Sequence, residues 1–181
     1  MLPPITSLQN PRIKQAAKLR DRKGRVQQQR IVIDGVREIA RAVGRVPFDE
    51  IFVCEELCGT PAAQELLAQL KAANAELWPV TPAVFAKLAY GERQEGIIAT
   101  ARTPSTSLAQ LKLPSNPTVA VLEGVEKPGN VGAVLRSADG AGVNALIVAD
   151  GGTDLYNPNA IRASLGAVSY THLTLPTTER G

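Results

Sequence analysis

The apolar and polar positions of the chain fall into two successive runs of strands and helices. The first run begins at residues 9–30, whose spacing predicts one helix, or two with Gly24 as the interruption. The next segments predict alternating elements, as strands at 31–35, 51–56, 76–80 and 96–101 and helices at 36–45, 61–75 and 81–91. Such alternation predicts a small three-layer α/β domain over residues 1–102.

A proline-, serine- and threonine-rich segment, residues 103–118, predicts a linker, and the pattern restarts after it. Residues 119–125 form a near-continuous apolar run, typical of a strand that is buried on both faces of a parallel sheet. Asn130 is the expected N-cap of the following helix, a strand is expected at 145–150, and Asn157 then starts another helix. This order predicts a parallel α/β sheet whose ligands bind beyond the carboxyl ends of its strands.

Composition is that of a globular protein. The 181 residues are 44% hydrophobic and 20% charged, without an apolar run long enough for a membrane helix and without the apolar core of a secretory signal at the N-terminus. We therefore expect a cytoplasmic protein. Cys54 and Cys58, spaced C-x3-C, match neither a redox motif nor a zinc site, and we interpret them as small residues compatible with a core, with no metal expected.

Positive charge is concentrated at the N-terminal end. Residues 1–46 contain eleven Lys and Arg against three acidic residues, a net charge of +8, whereas the whole chain carries +3. A basic end joined to a mildly acidic remainder is typical of a protein that binds a polyanion through one region. The alternative is a solvated helix surface with surplus Lys and Arg.

The segment PGNVG, residues 128–132, followed by Arg136 in an apolar run, is open to three interpretations. A phosphate-binding loop would need GxGxxG or GxxxxGK[ST], and the segment matches neither. A structural interpretation has the glycines permitting a tight strand-to-helix turn while Arg136 extends to solvent. The third interpretation comes from a resemblance.

The segment EKPGNVGAVLRSADGAGVNALIVADG, with NPNAIRASLGAV after it, resembles the first part of the catalytic domain of the SpoU/TrmH family of RNA ribose 2′-O-methyltransferases, in the SPOUT superfamily. Two motifs carry the resemblance, Asn130-x5-Arg136 and then Arg162-Ala-Ser164-Leu-Gly166. The N-terminal segment from ITSLQNPRIK to IVIDGVREIARAV is similar to the RNA-binding domain that precedes the catalytic domain in many of these enzymes.

The resemblance implies both fold and function. It implies a small N-terminal α/β RNA-binding domain at 1–102, followed at 119–168 by the first part of a parallel-sheet, trefoil-knot SPOUT domain. It also implies methyl transfer from S-adenosylmethionine to a ribose 2′-hydroxyl of rRNA or tRNA, by a protein that is a homodimer when complete. The alternatives are a non-catalytic RNA-binding protein that uses its basic N-terminal domain, and a nucleotide-dependent enzyme.

The resemblance also implies residue roles. Arg136 matches a residue held essential in the family, and since a guanidinium keeps its proton we interpret it as a clamp on the adjoining phosphate and a stabiliser of the developing oxyanion. Asn130 would fix the turn or orient the ribose, and Glu123 is a supporting candidate. The expected RNA-binding residues are Arg12, Lys14, Lys18, Arg22, Lys23 and Arg25.

The C-terminal segment 169–181 departs from the family pattern. The family domain continues well beyond the block that matches IRASLGAV, and the string SYTHLTLPT resembles read-through of a sequencing adaptor. We therefore predict that the native frame was lost near residue 168, that the knot is incomplete, that the chain lacks the cofactor-binding segments, and that it is inactive as written. His172 lies in this segment and receives no catalytic role.

Overall fold

The computed structural model describes residues 3–92, 94–149, 153–169 and 173–174, with only the backbone for 169, 173 and 174. The chain divides into two compact units, Met1–Thr103 (unit 1) and Pro104–Gly181 (unit 2). Most of the predicted non-family segment 169–181, including His172, lies outside the described residues. Within the described ranges, no helix has the length and apolar character needed to cross a membrane.

Unit 1 is an alternating α/β unit. Its elements are α1 (Pro11–Lys18), α2 (Arg22–Gln28), β1 (Arg30–Asp34), α3 (Val36–Ala42), β2 (Phe48–Val53), α4 (Pro61–Ala72), β3 (Leu77–Pro79), α5 (Pro82–Leu88) and β4 (Ile97–Arg102). The strands form one sheet in the order β1-β4-β2-β3, in which β4 is antiparallel to β1 and β2, and β3 is parallel to β2.

The core of unit 1 lies on both faces of this sheet. Val32, Phe52 and Ile98 pack on one face with apolar residues of α1 and α5, in a cluster that is almost free of solvent exposure. Because side chains alternate along a strand, Ile31 and Ile33 point to the opposite face, where α3 contacts β1, β4 and α4. The predicted three-layer arrangement is confirmed.

The basic N-terminal segment forms two helices, but the break differs from the predicted one. The chain leaves α1 after Lys18, and Gly24 lies inside α2. A Cβ added at Gly24 would lie 2.0 Å from the Lys18 carbonyl oxygen, so this glycine lets α2 pack directly against the end of α1. Gly24 therefore serves close packing and does not interrupt a helix.

Unit 2 contains β5 (Val119–Glu123), α6 (Pro128–Gly140), β6 (Ala145–Ala149), α7 (Pro158–Ala163) and β7 (Leu173–Thr174). The sheet order is β5-β6-β7 with parallel pairs, in register from Val119 opposite Ala145 to Glu123 opposite Ala149. The predicted parallel sheet is confirmed. Asn157 caps α7 as predicted, its side chain accepting from the Asn159 backbone N–H, with Pro158 as the first helical residue.

The expectation that β5 is buried on both faces is wrong. Its residues alternate between exposed and half-buried, and Val121 keeps 62% of its surface in solvent. Helices α6 and α7 pack against each other, and every second residue of β5, namely Val119, Val121 and Glu123, is exposed. An apolar run in sequence reports the composition of a strand, whereas burial depends on what packs against each face.

The segment expected to be a linker is tied to unit 2 at both ends. Near its start, the Tyr156 hydroxyl donates to the Pro104 carbonyl oxygen at 2.9 Å. At its end, Thr118 and Asn144 exchange two hydrogen bonds of 2.9 Å, which fix the start of β5. Between these points the chain forms a single 3₁₀ turn, Leu108–Gln110.

Candidate functional site

The turn from β5 to α6 positions the first of the predicted catalytic residues. Gly124 takes a positive φ of 65° immediately after β5, and α6 begins at Pro128 with Lys127 as its N-cap. Asn130 is thus the third residue of the helix, exposed, and the prediction that it is the N-cap is wrong. Proline has no N–H and a φ already suited to a first helical residue, so Pro128 starts the helix before Asn130.

The glycines of PGNVG do not supply the turn that the structural interpretation gave them. Gly132 lies against α7, where an added Cβ would meet the Ala160 carbonyl oxygen at 2.5 Å and the Ala163 Cβ at 2.7 Å. An added Cβ at Gly129 would meet no atom within 4 Å, and the residue that adopts the left-handed conformation in this turn is Gly124. Gly132 therefore serves the close approach of two helices.

Arg136 lies in the middle of α6 and is exposed. Its guanidinium makes no hydrogen bond or ion pair with the part of the chain that the structure describes. Arg136 follows Asn130 by six positions, which on a helix corresponds to about 9 Å along the axis and about two thirds of a turn around it. The two predicted catalytic residues consequently occupy different sides of α6, and only Asn130 is next to the carboxyl edge of the sheet.

The loops that follow β5 and β6 leave the sheet at the carboxyl ends of these strands and lie next to each other. Glu123 ends β5 with an exposed side chain, and the Gly124 N–H donates to the Ala149 carbonyl oxygen at 3.2 Å. Residues 150–152, which follow β6, lie outside the described ranges. The Thr153 hydroxyl then donates to the Glu126 carbonyl oxygen and fastens one loop to the other.

The buried side-chain hydroxyls of unit 2 form hydrogen bonds within the protein. The hydroxyls of Thr153, Tyr156 and Ser164 each donate to a main-chain carbonyl oxygen. Burial raises the pKa of Tyr156 above its ordinary value, so its hydroxyl stays neutral. Within the described residues of unit 2, no buried side-chain nitrogen or oxygen is left without a partner to mark a bound ligand.

The second motif of the resemblance, from Arg162 to Gly166, shapes the end of α7. The Ser164 hydroxyl donates to the Ile161 carbonyl oxygen at 2.9 Å and accepts from the Val168 N–H at 3.2 Å. Leu165 and Gly166 follow with φ of 54° and 83°, a left-handed pair that turns the chain back. This conformation is costly for leucine and shows that the turn is held by its surroundings.

Four of the predicted RNA-binding residues form an exposed cationic surface on unit 1. Lys14 and Lys18 are one helical turn apart on α1, and Arg22 and Lys23 open α2. None of the four is paired with an acidic side chain among the described residues. We call these four side chains the basic surface.

Arg25 does not belong to the basic surface. It is only 4% exposed, and its Nη1 donates to the carbonyl oxygens of Leu19 at 2.6 Å and Arg20 at 2.8 Å. The guanidinium satisfies carbonyl groups that follow the end of α1, and its burial removes it from any RNA. The RNA-binding role predicted for Arg25 is therefore replaced by a structural one.

Arg12 is held in a different arrangement. Its guanidinium forms an ion pair with Glu50, and its Cζ lies 3.6 Å from the centroid of the Trp78 ring. Arg30 also binds Glu50, at 2.5 Å, and Asp49, at 3.0 Å. The sequence reasoning did not identify Trp78 or Glu50, because nothing in their local patterns indicates that they meet Arg12.

Both cysteines are buried free thiols. Burial raises the pKa of Cys54, and it raises the pKa of Cys58 to about 11, with the neighbouring Cys54 and Glu55 adding to the effect. Gly96, at a φ of 81°, packs against both, since an added Cβ would lie 2.6 Å from the Cys58 Sγ. Over the described ranges, no three His, Cys, Asp or Glu side chains are grouped as a metal site.

Fold and surface together define the class, a two-unit α/β protein with a cationic surface on its first unit. The sequence profile of the MRM3-like substrate binding domain matches residues 10–99, and that of the SpoU rRNA methylase family matches residues 117–179. The chain belongs to the SpoU/TrmH family.

Individual relatives agree with this membership. The chain is 27% identical to a 23S rRNA guanosine 2′-O-methyltransferase of Bacillus subtilis, over 97% of this chain and 64% of that protein. It is 42% identical to an RNA 2′-O ribose methyltransferase of known structure, with a TM-score of 0.77 over 96% of this chain and 65% of the other. The chain spans 58% to 64% of the length of the curated relatives that it matches first.

A further solved structure shows the fold with a ligand. The SpoU methyltransferase AviRb of Streptomyces viridochromogenes, solved in complex with AdoMet, is 24% identical and superimposes with a TM-score of 0.76. The match covers 92% of this chain and 63% of AviRb. At this identity the similarity establishes the shared SPOUT-type fold.

Proposed function

We propose that the protein is an S-adenosylmethionine-dependent RNA methyltransferase that modifies a ribose 2′-hydroxyl of rRNA or tRNA. Unit 1 binds the RNA and unit 2 presents Arg136 to the target ribose. The observation that carries the proposal is the exposed guanidinium of Arg136 on α6, which has no hydrogen bond or ion pair with the described residues, in a unit matched by the SpoU profile. A cation without an internal partner is available to an anionic ligand.

The chemistry requires a positioned hydroxyl that loses its proton as the new bond forms. Arg136 keeps its own proton, and so it acts as a clamp on the phosphate next to the ribose and stabilises negative charge that develops on the 2′-oxygen. A phosphate oxygen of the RNA is the proposed proton acceptor. Asn130, about 9 Å away along the helix, would fix the turn or orient the ribose at the carboxyl edge.

The basic surface of unit 1 is the proposed RNA contact. Lys14, Lys18, Arg22 and Lys23 are exposed on two adjoining helices, and such side chains bind phosphates without reading sequence. Structured rRNA or tRNA would thereby be held mainly through its backbone. A non-catalytic RNA-binding protein remains the alternative, because the basic surface is complete without unit 2.

S-adenosylmethionine supplies the methyl group in this proposal, as the family indicates. The described residues of unit 2 do not fit a cofactor pocket, since their buried polar atoms are bonded to the protein itself, and no residue is assigned to the cofactor. We also propose a homodimer in the cytoplasm. Exposed Val121 of β5 and Val134 of α6 are apolar surface that a second subunit could cover.

Two measurements test the proposal. RNA binding is measured with this chain, and transfer of a labelled methyl group to rRNA and tRNA is measured with the complete reading frame of its gene, because the chain spans about three fifths of its relatives. We expect methyl transfer that is lost in Arg136→Ala and kept in Arg37→Lys, a change at an exposed position of α3. RNA binding without any methyl transfer would favour the non-catalytic alternative.

A further inference from the structure

The planar guanidinium group of Arg12 is held in a fixed position on the surface of unit 1. Arg12 lies in the first turn of α1, where its backbone N–H donates to the Asn10 side chain at 2.9 Å. Its guanidinium rests on the Trp78 ring, 3.6 Å from the centroid, while 35% of its side chain stays in solvent. One face of the guanidinium is therefore covered by the ring, and the side chain as a whole remains accessible.

The charge of Arg12 is already compensated. Glu50, whose side chain is 10% exposed, pairs with both Arg12 and Arg30, and Arg30 also pairs with Asp49. Two guanidinium groups thus meet two carboxylates. A phosphate would have to compete with Glu50 for Arg12, so this residue adds little to a phosphate-binding surface. What remains available to RNA is the 35% of the Arg12 side chain that stays in solvent.

We propose that Arg12, backed by Trp78, is a stacking platform for one unpaired nucleobase of the RNA. The inference rests on the proposed RNA-binding function and adds the class of RNA, a strand with a flipped-out or loop base. Bases that are not stacked in a helix are held on aromatic rings or on guanidinium planes, and a guanidinium fixed on a tryptophan is ordered before the base arrives.

The surroundings favour a base at this position. Phe52 and Phe85, two other aromatic residues of unit 1, are fully buried and offer no surface. Lys14 and Lys18 of the basic surface lie two and six positions after Arg12 on the same helix, and so on other sides of it. The contact proposed for Arg12 is therefore separate from the phosphate contacts of the basic surface.

The test compares two RNAs at equal ionic strength, a hairpin with an unpaired loop and a continuous duplex with the same stem. Arg12→Lys keeps the positive charge, and the lysine can still pair with Glu50, but the planar group is lost. We expect the Kd for the hairpin to rise about tenfold, as for the loss of one stacked base, and the Kd for the duplex to change by less than about twofold. The salt dependence of binding should stay unchanged, because Arg12→Lys leaves the net charge unchanged.

Arg37→Lys, the same substitution on α3, is the matched control and should bind both RNAs like the unsubstituted protein. Trp78 is the only tryptophan of the chain, so its fluorescence gives a second measurement that needs no variant, and it should change with the hairpin and not with the duplex. An equal loss for hairpin and duplex, or no loss in Arg12→Lys, would overturn the platform. Failure of the unsubstituted protein to bind either RNA would instead overturn the proposed function.

Discussion

The packing of α6 on α7 gives the sharpest prediction for stability, because it depends on a single hydrogen atom at Gly132. Alanine at this position places a Cβ 2.5 Å from the Ala160 carbonyl oxygen, 2.7 Å from the Ala163 Cβ and 3.0 Å from the Ser164 nitrogen. Two of these three atoms belong to the backbone of α7 and its cap, which cannot rotate away. The two helices must separate to accept the methyl group.

The magnitude follows from two opposing effects. Forcing an extra carbon into a packed interface costs about 1 to 3 kcal/mol, and contact with backbone atoms favours the upper end. Replacing glycine by alanine within a helix returns about 1 kcal/mol. We therefore expect Gly132→Ala to lower the free energy of unfolding of unit 2 by about 2 kcal/mol. This loss lowers a urea midpoint by about 1 M.

The assay is urea unfolding of the whole chain. Hydrogen exchange of peptides from α6 and α7 monitors the unfolding of unit 2. Trp78 fluorescence reports on unit 1, and its transition should not move. Gly140→Ala is the matched control, since it lies in the same helix with nothing within 4 Å of its added Cβ, and it should be stabilising. Adding Ala163→Gly to Gly132→Ala removes the contact with the Ala163 Cβ, but the contact with Ala160 remains and glycine in α7 costs about 1 kcal/mol, so the double variant should stay less stable than the unsubstituted protein.

A result in which Gly132→Ala is as stable as Gly140→Ala would refute this reasoning. It would mean that α7 moves away from α6 at little cost, and that the glycine at position 132 is not required by packing. A loss that appears equally in the Trp78 transition would also contradict it, because the clash lies within unit 2.

Three further outcomes are expected. The RNA affinity of the chain, measured by filter binding, should fall as the salt concentration rises. Lys18→Gln and Lys23→Gln should each make the slope of log K against log salt shallower by about 0.7 to 0.9. An affinity of the unsubstituted protein that does not depend on salt would refute phosphate binding. Arg136→Lys should restore little of the methyl transfer lost in Arg136→Ala, because an ammonium cannot reproduce a planar fork, and near-normal single-turnover rates in Arg136→Ala would show that the residue is structural. Since the pKa of Cys58 is raised from 9.0 to about 11, its thiolate fraction near pH 8 should be about 100-fold below that of an ordinary thiol. An aromatic disulfide reagent should then label it only after unfolding, and fast labelling of the native protein would contradict its burial.

Local chemistry in the sequence determined most of the secondary structure. A capping residue followed by proline starts α1 at Asn10, α4 at Thr60 and α7 at Asn157, and in each case the cap side chain accepts a backbone hydrogen bond. These signals work from sequence because all of the atoms involved lie within a few residues of one another. The same holds for alternating strands and for the basic N-terminal end.

The roles of individual residues were decided by tertiary structure. Lys18 and Arg25 both belong to the basic N-terminal segment, yet Lys18 is exposed whereas Arg25 is buried against the carbonyl oxygens of Leu19 and Arg20. Arg12 meets Glu50, a residue 38 positions away. No local pattern specifies such a pair, because it exists only once the sheet and α1 have packed.

The motif around Arg136 shows the same division. The sequence by itself determined that a strand, a turn, a helix and a parallel strand follow one another, since these depend on periodicity and on proline and glycine. Only the tertiary structure decided that Gly132 is required by α7 and that β5 keeps one face exposed. Packing assigns these roles, because a residue's neighbours across a helix or sheet interface come from distant parts of the chain.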